Sequence, residues 1–274
     1  MLRAYQQLNY RSDFTSATVR SQVLSPTRWD WERFTPDRHD GFWTGTSGDH
    51  GRWLFKMRTD LAAHREHTFE QLAQRLGLSC QRSAFVQLTS ECPPLLGQPA
   101  ANPWQIALRL LEEHEPVGCS STCEIDVFRS ALGNSNQDRA ALVEQLTIAD
   151  ATDCIRADLL AILCGASERS DRLVTKTHQF VIIDNEQMFS TKPGDLRESP
   201  WLKTPGGRSS PVAARIAKAL CAAFAAIGNS ELATLSSLPE HVSVEADRRV
   251  APFLRQARDA AANYLQMCSR DTQA

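Results

Sequence analysis

The apolar positions in the first half of the chain follow two different periods. A glycine-rich turn leads into an aromatic-rich run at 52–57, which predicts a β-strand. A helix is expected from about residue 61, because apolar residues then repeat at helical spacing and Gly77 stands where a C-terminal cap belongs. These apolar residues are Phe69, Leu72, Ala73 and Leu76. A second strand is expected at 83–88, which completes a strand–helix–strand unit.

Helical spacing dominates the second half. A cluster of prolines and glycine at 93–99 predicts a hinge. Asn102 and Pro103 predict the start of a helix that runs to His114, with the asparagine as cap and the proline in the first turn. Further helices are expected near 137–147, 151–164, 211–227 and 251–268, and two facing extended segments at 173–175 and 179–183.

Together these elements predict an α+β fold that divides near residue 96. Residues 1–96 would form a small β-rich unit with one helix, and residues 97–274 a mostly helical unit. The first 50 residues give no clear assignment. They carry an aromatic group that is typical of a core or a partner surface rather than a ligand cage: Trp29, Trp31, Phe34, Phe42 and Trp43.

Composition excludes several classes of protein. The net charge is −2 and the basic residues are scattered, so no nucleic-acid surface is expected. No apolar run reaches the roughly 20 residues that cross a bilayer, and the first residues do not resemble a signal peptide, so we expect a cytoplasmic protein that does not enter the membrane. The eight cysteines are then expected to be reduced thiols. Cys119 and Cys123 form half of a zinc pattern whose other half is missing.

Three charged residues stand at informative places in this pattern. Lys56 lies on the first predicted strand, Glu66 on the following helix, and Asp184 directly after the apolar run 181–183. A strand lysine can neutralise nucleotide phosphates, a helix glutamate can hold that lysine in an ion pair, and a loop acid can hold magnesium. Phosphoryl transfer depends mainly on positioning and electrostatics, so the order of these charges is its signature.

The residues around this set resemble the HipA-like kinase family. Leu54-Phe55-Lys56, then Glu66, then the Leu-Ala-Gln-Arg-Leu-Gly-Leu of 72–78 are similar to the strand lysine and the following helix of that family. Residues 165–170 stand where the family carries Gly-Asn-x-Asp-Arg-His. Residues 181–184, with Phe189 beyond them, stand where it carries an apolar strand that ends in Ile-Asp. The resemblance spans roughly residues 50–190 and rests on order and spacing.

This resemblance implies a two-lobed kinase-like fold, with an N-lobe at 1–96 and a helical C-lobe at 97–274. It also implies ATP and Mg²⁺ as cofactors, and a protein substrate or partner that presents a Ser or Thr hydroxyl. The implied roles are phosphate binding for Lys56, orientation of that lysine for Glu66, positioning of the acceptor for Glu168, and metal binding for Asp184 with Asp171.

The chain also departs from the family pattern. Glu168 replaces an aspartate, and Leu173 falls where an asparagine that binds magnesium is expected, with Asp171 as the nearest substitute. Ala166 and Ser170 replace two polar residues of the same loop. These departures favour a pseudokinase that acts as a binding or scaffolding module. A nucleotidyl transferase on the same scaffold is a third hypothesis.

Simpler interpretations exist for the same residues. Lys56 is also consistent with an exposed strand lysine, Glu168 with a solvated loop residue, and Asp184 with the start of a turn. Glu66 shares a helix face with Phe69 and Ala73, so we expect it to point inward. His64 and His67 lie three apart and could face one metal, but no third ligand is identifiable, so an exposed polar face is expected for them. Glu70 is either a substitute for Glu66 or a solvated helix residue.

Overall fold

The computed structural model describes somewhat more than half of the chain. The described residues are 22–24, 29–33, 43–47, 51–55, 59–78, 80–87, 104–109, 148–166, 171–174, 180–183, 185–199, 201–202 and 211–270. They form an α+β structure, as the sequence predicts.

Six strands of the described chain form one sheet whose order does not follow the sequence. The strands are β1 Gln22–Leu24, β2 Asp30–Arg33, β3 Trp43–Ser47, β4 Gly51–Phe55, β5 Ser83–Gln87 and β6 Trp104–Arg109. The spatial order is β1-β5-β6-β4-β3-β2, with β1 and β5 parallel and every other neighbouring pair antiparallel. Strands β4 and β5 therefore run parallel with β6 between them, and their connection needs a crossover. Helix α1 (Asp60–Arg75) supplies that crossover.

Local sequence signals define both ends of α1. Thr59 is the N-cap, and its hydroxyl accepts a hydrogen bond from the Ala62 amide at 3.2 Å. Asp60 adds a negative charge to the first turn, where the helix dipole favours it. Gly77 follows the last turn with a φ of +70°, a left-handed conformation that glycine adopts without strain. The predicted helix and its glycine cap are confirmed.

The strands present two different faces. Phe85 and Ile106 point to the side of α1, where they pack with Ala63 of that helix. Phe55 and Ala84 point to the opposite side, which we call the outer face, and pack there with the tryptophans of β2 and β3. Side chains along β4, β5 and β6 thus alternate between the α1 side and the outer face of the sheet.

The second half of the described chain is mainly helical. Its elements are α2 Ile148–Leu163, β7 Asp171–Val174, β8 Phe180–Ile183, a short 3₁₀ helix at Leu196–Glu198, α3 Pro211–Ala225, α4 Asn229–Leu235 and α5 Val250–Arg270. Strands β7 and β8 form an antiparallel pair. The predicted helices near 151–164, 211–227 and 251–268 and the two predicted extended segments are confirmed, whereas the predicted helix at 137–147 lies outside the described residues.

Helix α1 belongs to the large core of the helical half as well as to the sheet. Phe69 and Leu72 have no exposed surface and pack into a cluster with residues of α2, α3 and α5. Arg156 of α2 donates to the carbonyl oxygens of Leu76 and Gly77 at the C-terminal end of α1. Because partners surround it, α1 is buried around most of its circumference.

The prediction of a helix that starts at Asn102-Pro103 is wrong. Residues Trp104–Arg109 form strand β6, which pairs with β4 on one side and β5 on the other. The run Trp-Gln-Ile-Ala-Leu-Arg alternates with a period of two, and hydrogen bonding to two strands outweighs the local cap signal. The sheet therefore continues past residue 96.

Within the described part of the chain, no single helix is both long and apolar enough to cross a membrane. One bent pair, Ala213–Ala225 with Asn229–Leu235, satisfies the length and composition requirements jointly, with 94° between its two helices.

Candidate functional site

The structure describes the predicted site residues to different extents. Glu66 is described fully, on α1. Asp171 is the first residue of β7, and its backbone position is described. Lys56, Glu168 and Asp184 lie outside the described residues. Lys56 directly follows β4 in the sequence, and Asp184 directly follows β8.

Glu66 points inward, as its spacing predicts. Its relative exposure is 2%, and Phe69 and Ala73 on the same face have none. A carboxylate at such depth is stable only with strong polar or charged partners, because burial removes the water that would otherwise solvate it. The predicted orientation of Glu66 is confirmed.

A junction at Cys80 joins the segment after α1 to strand β8. Cys80 forms an isolated parallel bridge with Ile182, and the Gln81 amide donates to the Ile182 carbonyl oxygen at 2.9 Å. Asn185, which follows Asp184 in the sequence, donates from Nδ2 to the Cys80 Sγ at 3.5 Å. The junction therefore lies within two residues of the predicted metal ligand.

The carboxylates of α1 affect the pKa of Cys80 at the same junction. Burial, followed by the negative charges of Glu70 and Glu66, raises the pKa of the Cys80 thiol well above its ordinary value. The thiol is also buried, with a relative exposure of 9%. Cys80 is therefore a neutral contact point between the surroundings of Glu66 and the residues after β8.

The register of β7 and β8 places one predicted metal ligand opposite the end of β8. Asp171 is paired with Ile183, the last residue of β8. Asp184, which lies outside the described residues, is the next residue in the sequence. Among the residues that the structure describes, no group of three or more His, Cys, Asp or Glu side chains is arranged to hold a metal ion.

Phe189 connects the segment after β8 to two helices. Its ring packs 6.4 Å from that of Phe69 on α1 and 5.5 Å from that of Phe253 on α5. Its amide donates to the Cys164 carbonyl oxygen at 2.8 Å, and its φ of +60° is unusual for a residue with a side chain. The segment after β8 is thus anchored in the core through contacts with both α1 and α5.

A second polar group on α1 was missed by the sequence interpretation. The hydroxyl of Ser83 donates to Glu70 Oε2, and the Ser83 amide donates to the same oxygen at 2.7 Å. His67 Nδ1 lies 3.2 Å from the Ser83 hydroxyl oxygen, and Gln74 Nε2 donates to Glu70 Oε1 at 2.6 Å. The side chains of His67, Glu70 and Ser83 are buried between α1 and β5, and Gln74 is partly exposed.

Burial changes the protonation of both titratable members of that group. Burial raises the pKa of Glu70 to about 7, although the hydrogen bonds from Ser83 oppose the shift. Burial also lowers the pKa of His67 to about 3, and the neighbouring His64 adds to this effect. Two predictions are therefore wrong: the exposed face for His64 and His67, and the solvated position for Glu70. The sheet, the helical core and the residues before α5 cover those sides of α1.

The aromatic residues of β2 and β3 pack on the outer face of the sheet. The ring of Trp31 lies 4.8 Å from Phe55, and that of Trp29 lies 5.2 Å from it. Both indoles cover Gly45, where an added Cβ would approach Trp29 to 2.8 Å. These tryptophans are part of a core cluster. Cys119 and Cys123 lie outside the described residues.

A comparison with protein-family models finds none that matches the chain, and no curated protein matches it. The observations define an α+β protein in which a buried, carboxylate-bearing helix meets a β-hairpin at Cys80.

Proposed function

We propose that this protein is an ATP- and Mg²⁺-dependent phosphotransferase of the kinase type, as its resemblance to HipA-like kinases implies. The observation that carries the proposal is the junction at Cys80. It joins the helix of Glu66, the proposed partner of the phosphate-binding lysine, to Ile182 and Asn185, which flank the proposed metal ligand Asp184. A kinase site needs these charges to meet at one place.

The proposed ion pair between Lys56 and Glu66 follows from the alternation of β4. Phe55 belongs to the outer face, so period two predicts that the next side chain, that of Lys56, points to the side of α1. Glu66 is buried on that helix. An ammonium group would stabilise the carboxylate there, and the glutamate would hold the lysine toward the phosphates of ATP.

The proposed metal site uses Asp184 and Asp171. The pairing of Asp171 with Ile183 supports it, because Ile183 directly precedes Asp184 in the sequence. Carboxylate oxygens are the protein ligands that Mg²⁺ prefers, usually together with phosphate oxygens and water. When bound, the ion would neutralise charge on the transferring phosphoryl group.

Glu168 is the proposed residue that orients the acceptor hydroxyl and takes its proton as the phosphoryl group moves from ATP to the hydroxyl oxygen. This residue lies in the short segment between α2 and β7. The acceptor class, a Ser or Thr hydroxyl of a protein, rests on the resemblance alone.

One observation favours a second candidate function, a pseudokinase that serves as a binding scaffold. Leu173 lies within β7, paired with Val181, at the place where the related kinases carry a magnesium-binding asparagine. A leucine side chain has no atom that binds Mg²⁺. This protein would then keep the framework of the site without turnover.

Calorimetric titration with ATP, in the presence and absence of Mg²⁺, followed by an assay of labelled γ-phosphate transfer to candidate proteins, tests both functions. Magnesium-dependent binding with transfer supports the enzyme. Magnesium-dependent binding without transfer across a broad set of proteins supports the scaffold. A protein that binds no nucleotide under either condition contradicts the enzyme and a nucleotide-binding scaffold, and leaves a protein-interaction scaffold.

A further inference from the structure

Residues 236–249, which connect α4 to α5 and which we call the strap, run along helix α1. The strap is anchored by an apolar residue, since Val242 packs with Phe85, Trp104 and Ile106 on the α1 side of the sheet. It is also held by hydrogen bonds: the Glu245 amide donates to Asp60 Oδ2 at 3.0 Å. The strap therefore connects the sheet and α1 to the first turn of α5.

His64 of α1 holds the strap at two points. Its Nδ1 accepts a hydrogen bond from the Asp247 amide at 2.9 Å. Because Nδ1 is an acceptor, the ring proton of the neutral imidazole is on Nε2, which donates to the Ser236 carbonyl oxygen at 2.8 Å. One buried ring thus joins the two ends of a segment of twelve residues, from Ser236 to Asp247.

Asp247 links the same contact to helix α5. Its carboxylate forms a salt bridge with Arg65 at 2.7 Å and accepts from the Arg249 amide at 3.0 Å, next to the start of α5. Burial alone would raise the pKa of Asp247, but hydrogen bonds from Arg249 and then Arg65 outweigh it and hold that pKa well below its usual range. Asp247 therefore stays charged in mild acid.

Protonation of His64 is incompatible with this arrangement. An imidazolium carries a proton on both nitrogens, so Nδ1–H would face the Asp247 N–H, donor against donor, at 2.9 Å. The hydrogen bond to Asp247 would have to break. Since nothing else on the ring can replace that acceptor, this end of the strap would lose its backbone attachment to α1, and Asp247 would then be held by the Arg65 salt bridge.

We propose that the strap is a clamp on helix α1 that opens when His64 is protonated, and that His64 is thereby a positioning residue for Glu66, two residues further along the same helix. The second half of this inference rests on the proposed function, because it concerns the site to which Glu66 belongs. The first half concerns only the attachment of the strap.

The surroundings of His64 shift its pKa in both directions. Burial lowers the pKa of His64, while the Ser236 carbonyl and the negative charge of Asp247 oppose this shift and Arg65 adds to it. His67, on the same helix, faces Ser83, and its pKa of about 3 keeps it neutral down to about pH 4. The clamp is therefore expected to open in mild acid, below the ordinary titration range of histidine.

Hydrogen exchange measured by mass spectrometry on the full chain tests the clamp, with protection factors normalised to the intrinsic exchange rate at each pH. As the pH is lowered from about 7 to about 4, peptides of the strap should lose protection roughly tenfold, the change that one lost hydrogen bond produces. Peptides of α3 and α5 should keep their protection, which separates opening of the strap from global unfolding.

Two variants make the test specific. In His64→Asn, the amide oxygen can take the place of Nδ1 as the acceptor without titrating, so the protection of the strap should no longer depend on pH. His241→Gln removes an exposed histidine of the strap itself and should respond like the unmodified protein. If His64→Asn does not fold, ¹⁵N shifts of the His64 ring in the unmodified protein replace it, and opening must follow that titration.

The results separate the clamp from the proposed function. A strap that keeps its protection while His64 titrates, or a pH response that persists in His64→Asn, overturns the clamp. Binding of Mg²⁺–ATP, measured at both pH values, is the second readout and should weaken as the strap opens. A strap that opens in a protein that binds no nucleotide at either pH supports the clamp and contradicts the proposed function.

Discussion

Asn185 donates a hydrogen bond from Nδ2 to the Sγ of Cys80 at 3.5 Å, and this contact joins the segment after β8 to the segment after α1. Both side chains are buried, and Cys80 is close enough to the α1 carboxylates for their charge to raise the pKa of its thiol. We therefore expect substitutions of Asn185 and substitutions of Cys80 to affect the same candidate site.

Replacement of Lys56 by Met should weaken ATP binding at least about tenfold, because a charge-assisted contact to phosphate contributes roughly 1.5–3 kcal/mol. Calorimetric titration measures the effect, and circular dichroism checks that the fold is kept. Lys218→Met, which removes an exposed lysine on α3, is the matched control and should bind ATP normally. Equal affinity in both variants would remove Lys56 from the site.

Asp184→Asn should abolish the dependence of ATP binding on Mg²⁺, together with any phosphate transfer, while the protein still folds. The amide keeps the size of the side chain but lacks the negative charge that favours a divalent ion. Titrations with and without Mg²⁺ provide the measurement. Asp259→Asn, at an exposed position of α5, should leave the dependence intact. A magnesium effect that survives in Asp184→Asn would contradict the proposed metal site.

Glu70→Gln should alter how stability depends on pH. The pKa of Glu70 is about 7 in the folded protein and 4.5 as an ordinary value, so the folded state binds the proton more tightly. The stabilisation it contributes is complete below pH 4.5 and is lost as the pH rises through 7, by about 3 kcal/mol in total. Urea unfolding at several pH values should show that this loss is absent in Glu70→Gln. Identical profiles for the two proteins would contradict the shift.

His67→Gln should have the opposite effect on the same profile. Burial holds the pKa of His67 at about 3 against an ordinary 6.5, so its contribution to stability is complete above pH 6.5 and is lost as the pH falls toward 3. Glu70 and His67 therefore oppose each other between pH 4.5 and 6.5. Urea unfolding of His67→Gln should show stability that falls more steeply with rising pH than in the unmodified protein, and a shallower fall would contradict this assignment.

Gly45→Ala should destabilise the protein by about 1–3 kcal/mol, the usual cost of adding a methyl group to a packed core. The new Cβ would lie 2.8 Å from Trp29 and 2.9 Å from Phe55. Gly228→Ala is the matched control, since no atom of the described residues lies within 4 Å of a Cβ at that position. Urea unfolding compares the two, and an equal effect would show that the tryptophans do not pack on the outer face as described.

Much of the fold could be predicted because its signals are local. Thr59 and Gly77 cap α1, apolar spacing defines α1, α2, α3 and α5, and alternation defines β5. The inward orientation of Glu66 also follows from spacing, since residues three and seven positions away on a helix share its face. The sequence by itself therefore determined the helices α1, α2, α3 and α5, the strands β4, β5, β7 and β8, and the orientation of one residue of the candidate site.

Only the tertiary structure decided the features that depend on distant partners. Residues 104–109 carry a helix-start signal, yet they form β6 because β4 and β5 offer them hydrogen bonds on both edges. His64, His67 and Glu70 occupy helix positions that spacing leaves polar, and they are buried because β5 and the strap cover those sides of α1. A periodic pattern specifies which side of an element is apolar, whereas burial of its polar side depends on what the rest of the chain places against it.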